Sequence, residues 1–322
     1  MKKRILATLL VGAIAGTSLI GLTACGGVSL PKGDEIDAEK WAEAFEKTGE
    51  LENYTLKHSS SYNVSGDGKI YLSETKTTDF SHKSKASVNE TLLYDLKGQK
   101  AYGESKTSAE ISTQAYGLKD YEKSKSSLVA KTYYELKETK NETDYFWNVT
   151  YTKAKSNNVD TEYRSNNVKG TSEFSWYADT TRYFYSPEFD ALSDRFYKDS
   201  EGEESGYLPS LYDAFKFENG VYTASLYQRV KIYDGIRTIV PVTVSISFSK
   251  ADTCILGAKL SYDASGTAKE EGEYDITYKY KGEEVFALSN IGKTDASKKA
   301  TSAIKKAIDK QKTLAENETV SD

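Results

Sequence analysis

Between Tyr222 and Tyr280 apolar and polar positions alternate with a period of two. Tyr222, Ala224, Leu226, Val230 and Ile232 take turns with Thr223, Ser225, Arg229 and Lys231, and after a turn at Asp234-Gly235 the same pattern resumes. Val242, Val244, Ile246 and Phe248 alternate with Thr243, Ser245 and Ser247. Beyond a turn at Lys250 to Asp252 come Cys254, Leu256, Ala258, Leu260 and Tyr262, and after Gly266 come Tyr274, Ile276, Tyr278 and Tyr280. Such alternation predicts four successive strands with one apolar face and one face of Ser, Thr and Lys, an antiparallel meander wet on one side.

Upstream the period changes. Asp34 to Gly49 predicts a helix: acidic residues crowd its first turn, Ile36, Trp41 and Phe45 share a stripe, and Gly49 closes it. Strand signals follow at Tyr54-Thr55-Leu56, with a turn expected at Gly66-Asp67-Gly68 and a second strand from Lys69 to Phe80. Further strands are expected at Ser87 to Asp95 and Lys131 to Lys137, with a turn at Lys97-Gly98, while the stretch from Ser105 to Ser127 carries no clear period. Two aromatic blocks, Tyr145 to Tyr151 and Phe174 to Tyr185, flank an Asn/Ser-rich turn. Ser186-Pro187 opens an expected helix bearing Phe189, Leu192 and Phe196, and Pro209 to Phe215 reads as another short one. After Gly292, Ala300, Ala303, Ile304, Ala307 and Ile308 line a stripe among Lys298, Lys299, Lys305, Lys306 and Lys310. That predicts a solvated C-terminal helix, with a membrane-surface helix as the alternative.

Composition sharpens the β reading. The 322 residues include 25 Tyr, 4 Pro and 1 Met, and tyrosine suits half-wet strands because its ring packs while its hydroxyl reaches water. The formal charge is −5. An acidic chain is unsuited to nucleic acid and, taken as a whole, to tight contact with anionic headgroups.

The first residues belong to targeting. Lys2, Lys3 and Arg4 precede an uncharged apolar run that ends in Leu22-Thr23-Ala24-Cys25-Gly26, which has the parts of a secretory signal. The ending resembles the lipobox of bacterial lipoproteins. That resemblance implies cleavage after residue 24 and a covalent diacylglycerol on Cys25, with or without an N-acyl chain, holding the protein on the extracytoplasmic side of the cell membrane. Two acyl chains anchor stably where one is marginal. A single transmembrane anchor is the competing reading, opposed by five small residues in the run and by the lack of a basic cluster after Cys25. The other cysteine, Cys254, then has no partner, so a packed core rather than a disulfide must hold the fold. It sits on the apolar register and reads as a buried hydrophobe.

These elements predict a mainly β (α+β) protein: a single large curved antiparallel sheet, an open half-barrel, lidded by short helices, with an N-terminal helix and a C-terminal helical tail. The expected segments are a signal peptide at 1–24, a tether at 25–34, the half-barrel at 35–292 and a Lys/Ala-rich helix or tail at 293–322. A two-domain division of the middle segment is the alternative. The apolar face of such a sheet needs a cover, and the helices legible inside the domain are few and short.

The helix at Asp37 leading straight into a strand at Thr55, the long Thr/Ser/Tyr-rich strands, the segments Pro187 to Tyr197 and Pro209 to Phe215, the Phe217-Glu218-Asn219-Gly220-Val221-Tyr222 lead-in and the closing meander together resemble the LolA-like lipoprotein carriers, including the LppX/LprG type. The resemblance is one of layout over residues 36 to 290. It implies a concave face that takes a lipid or acyl chain without covalent chemistry. On the apolar register the ligand-contact candidates are Leu226, Val244, Ile246, Leu260 and Ile276, with Trp41 and Phe45 as lid. The competing reading is a surface interaction or carbohydrate-binding module whose exposed aromatic residues stack on sugars.

Enzyme signatures are missing. The histidines, His58 and His82, lie in Ser/Lys-rich surroundings that read as solvent-facing, and no His-x-x-x-His, Cys-x-x-Cys or Gly-x-Ser-x-Gly pattern occurs. Glu203 and Glu204 read as an acidic surface loop rather than a calcium site. No catalytic residue, metal or further cofactor is expected, and the expected partners are the membrane and an acyl ligand.

Overall fold

The computed structural model describes residues 28–73, 76–115, 122–140, 143–160, 168–169, 173–183, 192 and 194–319. Helix α1 (Ala38–Gly49) leads into long strands β1 (Asn53–Ser73), β2 (Lys76–Asp95), β3 (Lys100–Ala115), β4 (Glu122–Lys140) and β5 (Thr143–Asp160). Short strands β6 (Val168–Lys169), β7 (Glu173–Tyr183), β8 (Phe196–Tyr197), β9 (Glu204–Gly206) and β10 (Lys216–Glu218) precede β11 (Val221–Tyr233), β12 (Ile236–Ser249), β13 (Cys254–Glu270) and β14 (Tyr274–Ser289), and helix α2 (Ser302–Thr319) follows. All fourteen strands join one antiparallel sheet. The chain enters at its middle: β1 pairs with β14, the meander runs outward to β5, and after crossing to the far edge at β11 it returns inward to β14. We call the end holding Asn53 and Ser289 the lower end, and the end holding Ser73 the upper.

The sheet is mainly β and open, with one helix near each terminus, as the pattern predicts. It also curls. A Cβ placed on Gly66 of β1 would lie 3.0 Å from Ile276 on β14 and 3.1 Å from Ile232 on β11, three strands beyond β14. Tyr233 of β11 likewise stacks within 5.1 Å of Phe80 and 4.9 Å of His82 on β2. The two sides of the curl therefore meet across the concave face. This explains one departure from expectation: Gly66-Asp67-Gly68 is not a turn but the middle of a 21-residue strand. Its glycines make room, for a Cβ on Gly68 would fall 2.1 Å from the Asp275 carbonyl oxygen.

Other expectations are corrected in detail. Asp37 caps α1 by accepting from the Lys40 amide at 2.9 Å, so the helix starts at Ala38 and residues 34–37 are extended. Phe196 and Tyr197 pair with Gln228 and Tyr227 as a strand rather than closing a helix, and residues 184–191, where that helix was expected, lie outside the described residues. Pro209 to Phe215 forms two 3-10 turns, Leu208–Ser210 and Tyr212–Ala214. A bulge after Ser247 shifts the register so that Ile255 pairs with Phe248 and enters the core, a place the strict alternation assigned to Leu256. The stretch without a clear period holds the end of β3 and the start of β4.

Candidate functional site

The concave face is built by the even-numbered positions of β1, β2 and β11 to β14, which cross-strand pairing brings to one side: Leu56 lies beside both Leu92 and Leu288, and Val244 beside Leu260. Its lower end is covered by α1 and the 3-10 turns. Trp41 is fully buried, with ring centroids 4.8 Å from Phe215 and Phe248 and 5.3 Å from Tyr222, and its indole N–H donates to the Leu208 carbonyl at 3.1 Å. Ile36 and Tyr222 exchange two hydrogen bonds, the Ile36 amide donating to Tyr222 Oη at 2.8 Å and that hydroxyl donating to the Ile36 carbonyl at 2.5 Å. Leu226, Val244, Ile246, Leu260 and Ile276 all lie in this one cluster, each buried, and Phe45 packs at its edge. The seven residues expected to meet a ligand are thus together, and their neighbours here are one another and the aromatic side chains of the cover.

Midway along the face the lining turns polar. His58, expected at the surface, lies inside: its ring stacks flat on Phe286, centroids 4.5 Å apart. Nδ1 lies 3.0 Å from Glu90 and Nε2 2.9 Å from Glu284, so both nitrogens donate and the ring is an imidazolium. Burial pushes its pKa down, but the hydrogen bonds to Glu284 and Glu90 outweigh burial and raise it to about 9. Tyr62 donates to the other oxygen of Glu284 at 2.8 Å, and burial raises its phenol pKa. Its ring lies over Gly282, where a Cβ would meet it at 2.3 Å. Tyr262 packs 6.0 Å from Tyr62 and donates to Gln228 at 2.5 Å, and Gln228 donates to Asp194 at 3.0 Å. Two hydrogen-bonded groups, Glu90–His58–Glu284–Tyr62 and Tyr262–Gln228–Asp194, therefore lie across the concave face and meet at the ring contact of Tyr62 with Tyr262. Sequence reasoning missed the first because His58, Tyr62, Glu90 and Glu284 converge only through the β2–β1–β14 register.

Above those groups the face becomes apolar again and opens. Ile70, Tyr71, Asp234, Gly235, Ile236, Glu273 and Tyr274 line a cleft of about 310 Å³ between the hairpin ends. Ile236 and Tyr274 belong to the same core cluster as Leu226 and Leu260, and Ile70 packs on it. The cleft is thus the upper rim of the concave core, with Asp234 and Glu273 at its edge. Asp234 is held below the ordinary carboxylate range by its hydrogen bond with Lys231.

Of the remaining expected residues, His82 also faces the concave side, against Tyr233, and the others fall elsewhere. His82 is buried beside Thr113 at 2.8 Å, not solvent-facing, and burial lowers its pKa to about 4. Cys254 is a fully buried free thiol, pushed up to about 12 by burial and the nearby Asp252 charge. Glu203 and Glu204 each face a cation, Lys198 at 3.3 Å and Arg195 respectively. Phe146 and Trp147 of the first aromatic block are both buried. Cys25 and the signal segment lie outside the described residues.

No protein-family model matches the chain, and no curated protein matches its sequence. Among solved structures, the translocator domain of the autotransporter NalP from Neisseria meningitidis is similar over 77% of this chain and 93% of its own, at 8% identity and a TM-score of 0.17. A DUF1329 family protein from Desulfovibrio piger is similar over 80% and 92%, at 9% identity and a TM-score of 0.12. The outward positions here include Lys57, Lys83, Lys85, Lys106 and Lys125, all exposed, where the lipid-facing wall of a membrane barrel is apolar.

Proposed function

We propose that this protein is a lipid-anchored, extracytoplasmic and non-catalytic binding protein that takes a hydrophobic ligand, an acyl chain or lipid, on the concave face of its sheet, in the manner of the LolA-like carriers. The observation that carries the reading is the cleft at the upper rim, whose wall residues Ile70, Ile236 and Tyr274 are continuous with the apolar core. Its 310 Å³ lies at the lower end of the range for small-molecule sites. A chain entering there slides between Ile232 and Ile276, and deeper entry moves the strap at residues 208–215 and α1 away from the sheet. Affinity comes from hydrocarbon removed from water, about 0.8 kcal/mol per methylene. The polar groups around His58 are satisfied by their own partners and offer a methylene nothing, so the apolar space above them fills first. Membrane attachment rests on Cys25, whose thiol in this reading is alkylated.

The test is native mass spectrometry of the protein purified from membranes in mild detergent. Stoichiometric non-covalent lipid, lost in an Ile236→Glu variant, is expected. Protein that carries only its covalent anchor, and that fails to take up a fluorescent fatty acid, would contradict the carrier reading.

A further inference from the structure

A second feature of the fold lies outside the concave face. Helix α2 crosses the outer side of the sheet at its lower end, burying Ile304 and Ile308 against Tyr102, Tyr133, Trp147 and Val149. Gln311 donates to the Asn148 carbonyl at 2.8 Å, and Lys312 bonds Glu135 at 2.6 Å. The docked helix and the turn before it carry seven lysines between Lys293 and Lys312 against Asp295, Asp309, Glu316 and Glu318, in a chain whose overall charge is negative. Lys305, Lys306 and Lys310 are exposed and have no acidic partner among the described residues, and Lys298 only skirts Asp295 at 3.7 Å. The carboxylates beneath are already neutralised: Glu135 by Lys312, Glu104 by Lys131 at 2.8 Å, and Glu138 by Lys137 at 3.6 Å. Leu314, on the same helix, leaves 49% of its surface exposed.

The N-terminal segment arrives at the same end and on the same side. Gly33 donates to the Gly220 carbonyl and Asp34 to the Phe248 carbonyl, both in the lower turns. A Cβ on Gly257, an outward position of β13, would meet Pro31 at 2.7 Å and Leu30 at 3.0 Å. Residues 30–31 therefore lie on the outer side of the sheet, the side that also carries α2. Of the acidic residues of the lower end, Glu39, Glu46 and Glu50 are on α1 and its C-cap, across the sheet, while Asp34, Glu35 and Asp252 lie on the N-terminal segment and the β12–β13 turn.

We propose that the lysine face of α2 and its lead-in rests on anionic lipid headgroups, so that the molecule lies with its outer lower side on the membrane and its upper cleft pointing away. The partner is a phosphate-bearing bilayer surface, and the lysines act as a second anchoring signal beside the acyl chains. This rests on the lipid anchor proposed above, and each lysine at such a surface is worth about fivefold in partitioning.

The test uses the full lipidated chain on phosphatidylcholine vesicles with or without phosphatidylglycerol, read by flotation and by amine-acylation rates at individual lysines. On neutral vesicles the protein is expected to float through its acyl chains. On anionic vesicles acylation of Lys305, Lys306 and Lys310 is expected to slow about fivefold or more and to recover in high salt, while Lys69 and Lys76 at the upper end stay unchanged. In the variant Lys305→Gln, Lys306→Gln, Lys310→Gln, flotation on neutral vesicles persists and the slowing at Lys298 and Lys299 shrinks. Equal rates on both vesicles, or equal slowing at Lys69, would overturn the proposal. Flotation on anionic vesicles alone would keep the lysine face and refute the anchor; flotation on neither would refute both.

Discussion

The two faces of the sheet make an instructive contrast. On the concave side, β11 to β14 and β1 present large apolar residues, and α1 with the 208–215 strap closes them into one aromatic-rich core. From β3 onward many positions on that same side become small or hydroxylated, Thr107, Ala109, Ala130 and Thr132 among them, although Ile111, Leu128 and the packed pair Tyr134 and Phe146 also face that way. The bulky residues of β3 to β5, Tyr102, Tyr133, Trp147 and Val149, occupy the opposite side, where α2 covers them. The apolar register thus crosses the sheet between β2 and β3: Leu92 faces inward and its neighbour Leu93 packs outward with Tyr102. A sheet too wide for one core gains a second one by exchanging faces, and each core takes one terminal helix. The consequence is an inner aromatic-rich core under α1 and an outer core under the lysine-bearing helix α2.

Breaking the inner core has the largest expected effect. Trp41→Ala removes the ring that joins α1 to Phe215, Tyr222 and Phe248, and a loss of about 3–5 kcal/mol is expected in urea unfolding monitored by circular dichroism. The outer core is smaller, so Ile308→Ala should cost roughly 2–3 kcal/mol and leave uptake of a fluorescent fatty acid intact. Loss of uptake in that variant would dissolve the distinction between the faces.

The polar groups of the concave face sharpen the comparison through pH. His58 has its pKa raised to about 9, so its contribution is complete below the unfolded value near 6.5 and is lost as pH rises from there through 9. The stability difference between wild type and His58→Gln, roughly 1–3 kcal/mol at pH 6, should therefore shrink as the pH is raised to 9. A gap that stays constant across that window would mean the imidazolium is not held by Glu90 and Glu284. The smallest effect is expected outside: replacing Lys306 and Lys310 by Gln should move the urea midpoint by less than about 0.5 kcal/mol equivalent, since neither has an acidic partner to lose.

The same contrast explains what was legible in the sequence. The strands β11 to β14 announce themselves because one face is continuously buried along most of their length, which forces strict alternation. The strands β3 to β5 do not: bulky residues sit on both sides at their lower ends, Tyr134 and Phe146 inward and Tyr102, Tyr133 and Trp147 outward, and the upper stretches are dominated by Ser, Thr and Lys on both faces, so the stretch from Ser105 to Ser127 has no clear period to read. Gly66 and Gly68 suggested a turn because composition cannot tell a bend from a close approach. Leu226, Val244, Ile246, Leu260 and Ile276 are legible as apolar positions from strand alternation, and Trp41 and Phe45 from the helical stripe, and all seven lie in one cluster or at its edge. The His58 group is not legible, because its members come from three strands far apart in sequence and each looks like an ordinary polar position in its own strand. The docking of α2 was half visible: the Ile304/Ile308 stripe was there, but nothing local says which surface it covers.

The most direct measurement of the account is hydrogen exchange on the lipidated protein with and without a bound long-chain fatty acid. Protection is predicted at residues 70–71, 234–236 and 273–274, with altered exchange in the 208–215 strap and none in α2. Protection confined to α2, or an exchange map that the fatty acid leaves unchanged, would contradict it.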